Sequence, residues 1–258
     1  MASVTTVALL RKKDVMDMAL FSKYWRDVHG MLATRIPGFR SYVQYHLDTA
    51  HTASLHGIAV VDFDSEDLRG GLADSEVAAL IREDEVNLFQ SSLLYNLPSG
   101  ADELWQQSAA PQTQLKHGFL LLRGCAAAST ELLCQTLQQH SDIQSLRHFA
   151  LDRGDAGHWK TPGVDNQLSP DNQFDLMLQI TAANSFPTGA VEQAVQSLPV
   201  APTQVQLYPV QSTYAMVADG RPTHLGLRGL DVLQTIEAAG ADNQLDSKLL
   251  QCLYGVTP

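Results

Sequence analysis

The sequence predicts an α+β protein, with two tandem ferredoxin-like βαββαβ domains packed as a pseudo-dimeric α/β barrel and short C-terminal helices. One observation behind this is that strand and helix hydrophobic patterns follow the order βαββαβ through residue 97. Another is that the order recurs, with residues 145–152 matching residues 41–48 in their pattern. The predicted domains are residues 1–110, 111–220 and 221–258.

The first domain is delimited by β-branched runs, caps and turn residues. Phe21, Trp25, Val28 and Leu32 make one apolar helical stripe, which Pro37-Gly38 ends. The predicted elements are a strand at Thr5–Arg11, a helix capped by Asp14, strands at Ser41–Leu47 and Gly57–Phe63, a helix from Ser65 with a break near Asp74, and a strand at Val86–Leu97.

The second domain follows a predicted linker, Pro98–Lys116, rich in Pro, Gly, Ser and Gln. Its predicted elements are strands at His117–Arg123, Ser145–Asp152, Phe174–Thr181 and Gln204–Val217, with a helix capped by Ser129 and another at Pro187–Leu198. Each sheet has helices for one face only, so the two sheets are expected to pack together within the chain. A further homodimer is left open.

Composition restricts the class of partner. The net charge is −11 over 258 residues, which argues against nucleic acid and anionic membranes. Three scattered cysteines and no signal-peptide pattern favour a cytoplasmic protein. Metal-ligand spacings, GxSxG and GxGxxG are all absent, so no cofactor and no metal are expected.

His29 is the leading catalytic candidate because it follows Trp25 by one helical turn, at the edge of the apolar stripe. A histidine there can act as general acid or base. The alternative is a structural histidine that caps the helix.

A second group of candidates comes from strand alternation. Tyr42, Gln44 and His46 share one face of the second strand, and the set is expected to point into the barrel beside Asp62. A His, an Asp and a Tyr in an apolar cavity would make a small-molecule site. The alternative is a satisfied structural network.

The second domain contributes two histidines and an inserted segment. His140 and His148 are expected to be structural, because the domain has no Trp in the corresponding helix. The inserted segment, residues 154–172, is interpreted either as a lid or binding loop or as a mobile spacer.

Residues 4–95 resemble the EthD-type domain of the dimeric α/β-barrel superfamily. The resemblance lies in Tyr24-Trp25 and His29, in Ile36-Pro37-Gly38, in Tyr42 and Tyr45, in residues 57–68, and in the acidic run Glu83-Asp84-Glu85 before Asn87-Leu88-Phe89. It implies a pocket between sheet and helices for a small hydrophobic, often aromatic or polyketide-like, ligand. It also implies roles in cyclisation, dehydration, isomerisation or as an accessory protein.

The expected function is therefore an EthD-like small-molecule-binding barrel. If it is an enzyme, His29 would be the acid or base of a cofactor-independent dehydratase, cyclase or isomerase. Tyr24, Tyr42, Gln44, His46 and Asp62 would bind the ligand. The alternatives are a non-enzymatic binding or accessory protein and, third, a haem protein, because some barrels of the superfamily hold haem through one histidine.

Overall fold

A computed structural model describes residues 4–49, 54–100, 102–107, 115–151, 159–167, 169 and 173–254. The strands are β1 Val4–Lys12, β2 Phe39–Leu47, β3 Gly57–Phe63, β4 Phe89–Leu97, β5 Asp102–Gln106, β6 Leu115–Arg123, β7 Ile143–Ala150, β8 Leu176–Ala183, β9 Gln204–Ala218 and β10 Arg221–Pro222. The α-helices are α1 Met18–Tyr24, α2 Gly30–Ala33, α3 Glu66–Gly71, α4 Glu76–Leu88, α5 Ala127–Gln138, α6 Thr188–Gln196, α7 His224–Arg228, α8 Leu230–Ala238 and α9 Ser247–Tyr254. A π-helix, Trp25–His29, joins α1 to α2, and 3₁₀ turns lie at Leu72–Asp74 and Asp242–Leu245.

The strands form one ten-stranded antiparallel sheet in the order β4-β1-β3-β2-β9-β6-β8-β7-β5, with β10 beside β9. Its first four strands, with α1 to α4, have the ferredoxin-like arrangement, and β9-β6-β8-β7, with α5 and α6, repeat it. The predicted fold class is therefore confirmed. The domain boundaries and the origin of the units by duplication stay predictions.

The two ends of this sheet are neighbours in the chain. β4 ends at Leu97 and β5 begins at Asp102, so five peptide steps, about 18 Å at most, separate the outer strands. A flat sheet of nine neighbouring strands would hold its edges roughly 38 Å apart. The sheet must therefore curl round, and its concave face encloses a core.

Two kinds of hydrophobic layer result. The concave face packs side chains of both units together, including Val7, Leu9, Phe119 and Phe149. The convex face is covered by helices, with one cluster around Phe21 and Trp25 in the first unit and a separate cluster of aliphatic side chains in the second. Both faces of the sheet are thus covered.

Local boundaries differ from prediction at several places. The first helix is capped by Asp17, whose side chain accepts from Leu20 N, and Asp14 lies before it. Residues 86–88 end α4 instead of starting β4, and the predicted linker contains β5. Ser129 lies buried inside α5, which begins after Ala126. The predicted break near Asp74 is present as the 3₁₀ turn.

No helix among the described residues is long and apolar enough to span a bilayer.

A candidate active site between the first sheet and its helices

A cavity of about 430 Å³ lies between the convex face of the first unit's sheet and the helices that cover it. Its floor is built from β1, β3 and β4, and Ala8 stands opposite Ala59 in the middle. These two small side chains leave space that larger ones would fill. In the second unit Leu120 stands opposite Leu178 within the corresponding layer, and both are fully buried.

His29 reaches this cavity from the π-helix that contains it. The wide turn places both Trp25 and His29 at the cavity wall, and it turns Val28 outwards, where its side chain is 48% exposed. The predicted stripe was therefore wrong at Val28. Gln44 Nε2 supports the turn by donating to the Trp25 carbonyl at 3.0 Å. Such π-turns are often found at functional sites.

Asp84 on α4 orients the imidazole of His29. The distance from His29 Nδ1 to Asp84 Oδ2 is 2.9 Å, and Tyr24 Oη donates to Asp84 Oδ1 at 2.6 Å. Burial raises the pKa of Asp84, but the hydrogen bonds from His29 and Tyr24 outweigh it and hold the pKa below its usual value. An ionised carboxylate can only accept, so His29 carries its proton on Nδ1 and turns its Nε2 lone pair away from Asp84.

The next residue of α4, Glu85, also lines the cavity and is 5% exposed. Trp159 Nε1 lies 3.1 Å from Glu85 Oε1 and 3.0 Å from Oε2, and the Thr161 hydroxyl donates to Oε2. Burial raises the pKa of Glu85, although the two donors oppose the shift. Two adjacent carboxyl groups, Asp84 and Glu85, thus have pKa values displaced in opposite directions.

The partners of Glu85 come from the inserted segment of the second unit. Within the described part, residues 159–167, Trp159 and Val164 pack into the first unit's core. Asp165 forms a bridge with Ser91 of β4, and Asn166 Nδ2 donates to the Ser92 carbonyl at 3.1 Å. This part of the segment is therefore a wall of the cavity. Residues 152–158, 168 and 170–172, including His158, lie outside the described residues.

The side chains of the second strand that were predicted to point into the barrel do not do so. Tyr42, Gln44 and His46 do share one face, but that face is covered by the helices. Tyr45 and Leu47 point to the concave side. The assignment of the two faces was wrong because both are buried, and alternation alone cannot tell which side is which.

Of this set only Tyr42 lines the cavity, and burial raises the pKa of its hydroxyl. His46 is 1% exposed and lies behind Trp25. The imidazole ring of His46 stacks on the indole ring of Trp25, with the ring centres 4.4 Å apart. Asp62 faces the other side of the sheet, where Thr5, Ser41 and Arg147 contact its carboxylate at 2.7, 2.6 and 2.9 Å. The predicted convergence of His46, Asp62 and Tyr42 is therefore wrong.

Sequence reasoning missed Glu85, Trp159 and Thr161 as site residues. Glu85 lies in the acidic run 83–85, but nothing in that run shows which carboxylate is buried. Trp159 was a visible signal, since it is the large aromatic residue of an otherwise polar insertion.

No group of three or more His, Cys, Asp or Glu side chains that could hold a metal ion occurs among the described residues. Among the described residues, His29 is the histidine at the cavity wall, so it is the residue that would hold a haem there.

The protein has a curled antiparallel sheet, helices outside it and a cavity beneath those helices. It therefore belongs to the class of α/β barrels built from two ferredoxin-like units. The EthD domain model matches residues 13–92, which lie within the first unit. His29, Asp84 and Glu85 all fall inside the matched segment.

One of the similar solved structures has a TM-score high enough to show the same fold. A protein provisionally described as a monooxygenase from Fusobacterium nucleatum subsp. nucleatum superposes with a TM-score of 0.51 at 5% identity, covering 83% of this chain and 94% of its own. A similarly described protein from Lactobacillus acidophilus has a TM-score of 0.49 at 10% identity, covering 86% and 98%. Chlorite dismutase from Candidatus Nitrospira defluvii has a TM-score of 0.43 at 8% identity, covering 81% and 91%. No curated protein matches the sequence.

Proposed function

We propose that the protein binds a small, largely apolar, oxygenated molecule in the first-unit cavity and catalyses proton transfer on it with His29. The observation that carries this proposal is the His29–Asp84 pair, whose histidine stands at the wall of a mostly apolar cavity of about 430 Å³. A volume of this size is typical of small-molecule sites.

The chemistry follows from the tautomer of His29. With its Nδ1 proton held by Asp84, the imidazole offers Nε2 as a base, and the nearby carboxylate stabilises the imidazolium that forms. Tyr24 donates a hydrogen bond to the other carboxylate oxygen of Asp84, Oδ1. Dehydration, isomerisation and cyclisation all need such a proton transfer, and none needs a cofactor for it.

The ligand class follows from the lining. The polar or charged side chains on the wall are Thr6, His29, Tyr42, Glu66, Arg69, Glu85, Ser92 and Asn96, whereas Trp25, Phe39, Phe63, Phe89 and Trp159 present aromatic surface. An aromatic or polyketide-like compound would bury its rings against these side chains. Cytoplasmic location and a possible homodimer remain parts of the proposal that rest on sequence pattern.

The test uses 1-tetralone, a bicyclic aromatic ketone with exchangeable protons beside its carbonyl. The full-length protein is expected to bind it, observed by saturation-transfer NMR, and to accelerate proton–deuterium exchange in D₂O. His29→Gln should lower the exchange rate by about 10²–10⁴-fold while binding persists. His140→Gln, a change outside the cavity, is the matched control and should keep the wild-type rate.

Three results would count against this function. Equal exchange by wild type and His29→Gln would remove His29 from catalysis and favour a non-enzymatic binding protein. Unchanged binding by Ala59→Leu, whose larger side chain would occupy the cavity floor, would move the ligand elsewhere. A Soret band after addition of haem, lost in His29→Gln, would favour the haem alternative instead.

A further inference from the structure

Glu85 lies at the same cavity as His29, and the proposed function gives it no role. Asp84 lies behind the imidazole of His29, at Nδ1, and is not part of the cavity wall. Glu85 is on the wall itself and is 5% exposed, and the charge of His29, which lines the same cavity, acts on its carboxyl group. A cavity with a base and a carboxyl group on its wall has the two groups that enolisation needs.

The surroundings of Glu85 favour the protonated acid. The charged groups that influence it are His29, which lines the same cavity, and Arg82 on its own helix, whose guanidinium is 5.0 Å from the centre of the Trp159 ring; Glu66 and Arg69 also line the cavity. Burial outweighs the donors and raises the pKa of the carboxyl group. Glu85 therefore keeps its proton to higher pH than an exposed glutamate.

We propose that Glu85 is the acid partner of His29, and that the substrate is a carbonyl compound with a C–H bond next to the carbonyl carbon. His29 Nε2 takes the proton, the C–H electron pair forms the C=C bond of the enol, and the carbonyl π pair moves to oxygen. That oxygen takes the proton of Glu85. The step leaves an imidazolium and a carboxylate, and its reversal restores both groups.

This inference rests on the proposed function and adds a role for the second unit. Trp159 and Thr161 hold the Glu85 carboxyl group by three contacts, and both lie outside the matched EthD segment. They are positioning residues, because they act through Glu85. The first unit's site would be incomplete without this part of the second.

The experiment measures the 1-tetralone exchange rate of the full-length protein as a function of pH. Glu85→Gln keeps an oxygen that can accept from Trp159 and Thr161 but has no proton to transfer. It is expected to lower the rate at neutral pH by about 10²-fold, with little change in binding, and to remove the fall in rate at high pH. Glu83→Gln changes the exposed carboxylate two positions earlier and should behave as wild type.

Thr161 provides the second variant. Thr161→Val removes one donor to Glu85, so the high-pH fall should move to higher pH, and Thr161→Ser should restore its position. If Thr161 had only a structural role, Thr161→Val would change stability but would not move the pH at which the exchange rate falls.

The outcomes separate the two proposals. If His29→Gln is inactive while Glu85→Gln exchanges within twofold of wild type, the role of Glu85 is overturned and the function of His29 stands. An unmoved high-pH fall in Thr161→Val also overturns it, even if Glu85→Gln does not fold. If the wild type neither binds 1-tetralone nor accelerates exchange, the proposed function fails and this inference fails with it.

Discussion

His46 shows how strongly burial can decide the role of a single side chain. The Ser22 hydroxyl lies 2.6 Å from His46 Nδ1, and His46 Nε2 lies 3.2 Å from Gln44 Oε1. Since the Gln44 oxygen only accepts, His46 donates from Nε2 and accepts at Nδ1. Burial, with a further contribution from the charge of Arg26, lowers the pKa of His46 to about 3. His46 is thus a neutral support for Trp25.

This lowered pKa predicts how stability changes with pH. The unfolded chain binds a proton at His46 from about pH 6.5 downwards, whereas the folded chain does so only near pH 3. The free energy of unfolding should therefore fall as the pH falls through this window, with about 1.4 kcal/mol per pH unit from this residue. Urea titrations between pH 7 and pH 4 would measure it.

The comparison that isolates His46 is a substitution. His46→Gln should be less stable at pH 7, yet its stability should decline less steeply towards pH 4. His140→Gln should keep the wild-type slope. Parallel slopes for wild type and His46→Gln would contradict the assignment of a neutral His46.

At the scale of one element, the π-helix depends on a close approach of helix to sheet. Gly30 follows the turn, and its N–H donates to the Trp25 carbonyl. A Cβ at Gly30 would lie 2.5 Å from Gln44 Nε2 and 2.9 Å from the Trp25 oxygen. The glycine therefore allows Gln44 and the helix backbone to meet, and that contact places His29.

Gly30→Ala is expected to destabilise the protein although alanine favours helices. In an exposed helix the change would stabilise by about 1 kcal/mol, but here the contact with Gln44 should reverse the sign, to a loss of about 1–3 kcal/mol. Gly189→Ala, in α6, has open space around its Cβ and should stabilise. Denaturant unfolding of both variants tests this, and a stabilised Gly30→Ala would refute the close approach.

At the scale of the molecule, the two units share one sheet and one concave core. β2 pairs with β9 along the join, and Arg147 of the second unit donates to Asp62 of the first at 2.9 Å. Phe149 is fully buried among side chains of both units. Neither unit can open without exposing the core of the other.

Phe149→Ala should therefore weaken the whole molecule and not one half. We expect a loss of about 3–5 kcal/mol in a single transition. The indole N–H signals of Trp25, in the first unit, and Trp105, on β5, should disappear at the same urea concentration in NMR spectra. Val200→Ala changes an exposed side chain and should leave the midpoint unchanged. Separate midpoints for the two signals would mean that the units unfold independently.

Much of the fold could be predicted because its signals are local. The run Gly57–Phe63 is apolar and β-branched, and it forms β3 with the predicted bounds. Element order and the ferredoxin-like pattern came from spacing within short windows, whereas His29 as the candidate base came from its place at the edge of the apolar stripe together with the resemblance to the EthD-type domain. The π-turn could not be predicted from spacing, since the same spacing fits an ordinary α-helix, and Val28 was misplaced as a result.

The rest depends on contacts between distant parts of the chain, which no periodic pattern contains. His29 meets Asp84 across 55 positions and Glu85 meets Trp159 across 74. Hydrophobic alternation can say that Tyr42 and His46 share a face, but it cannot say what covers that face when both sides of the sheet are buried. The sequence therefore carries the order of elements and the candidate base, whereas folding in three dimensions places the cavity, the Glu85 carboxyl group on its wall and the contacts from the second unit.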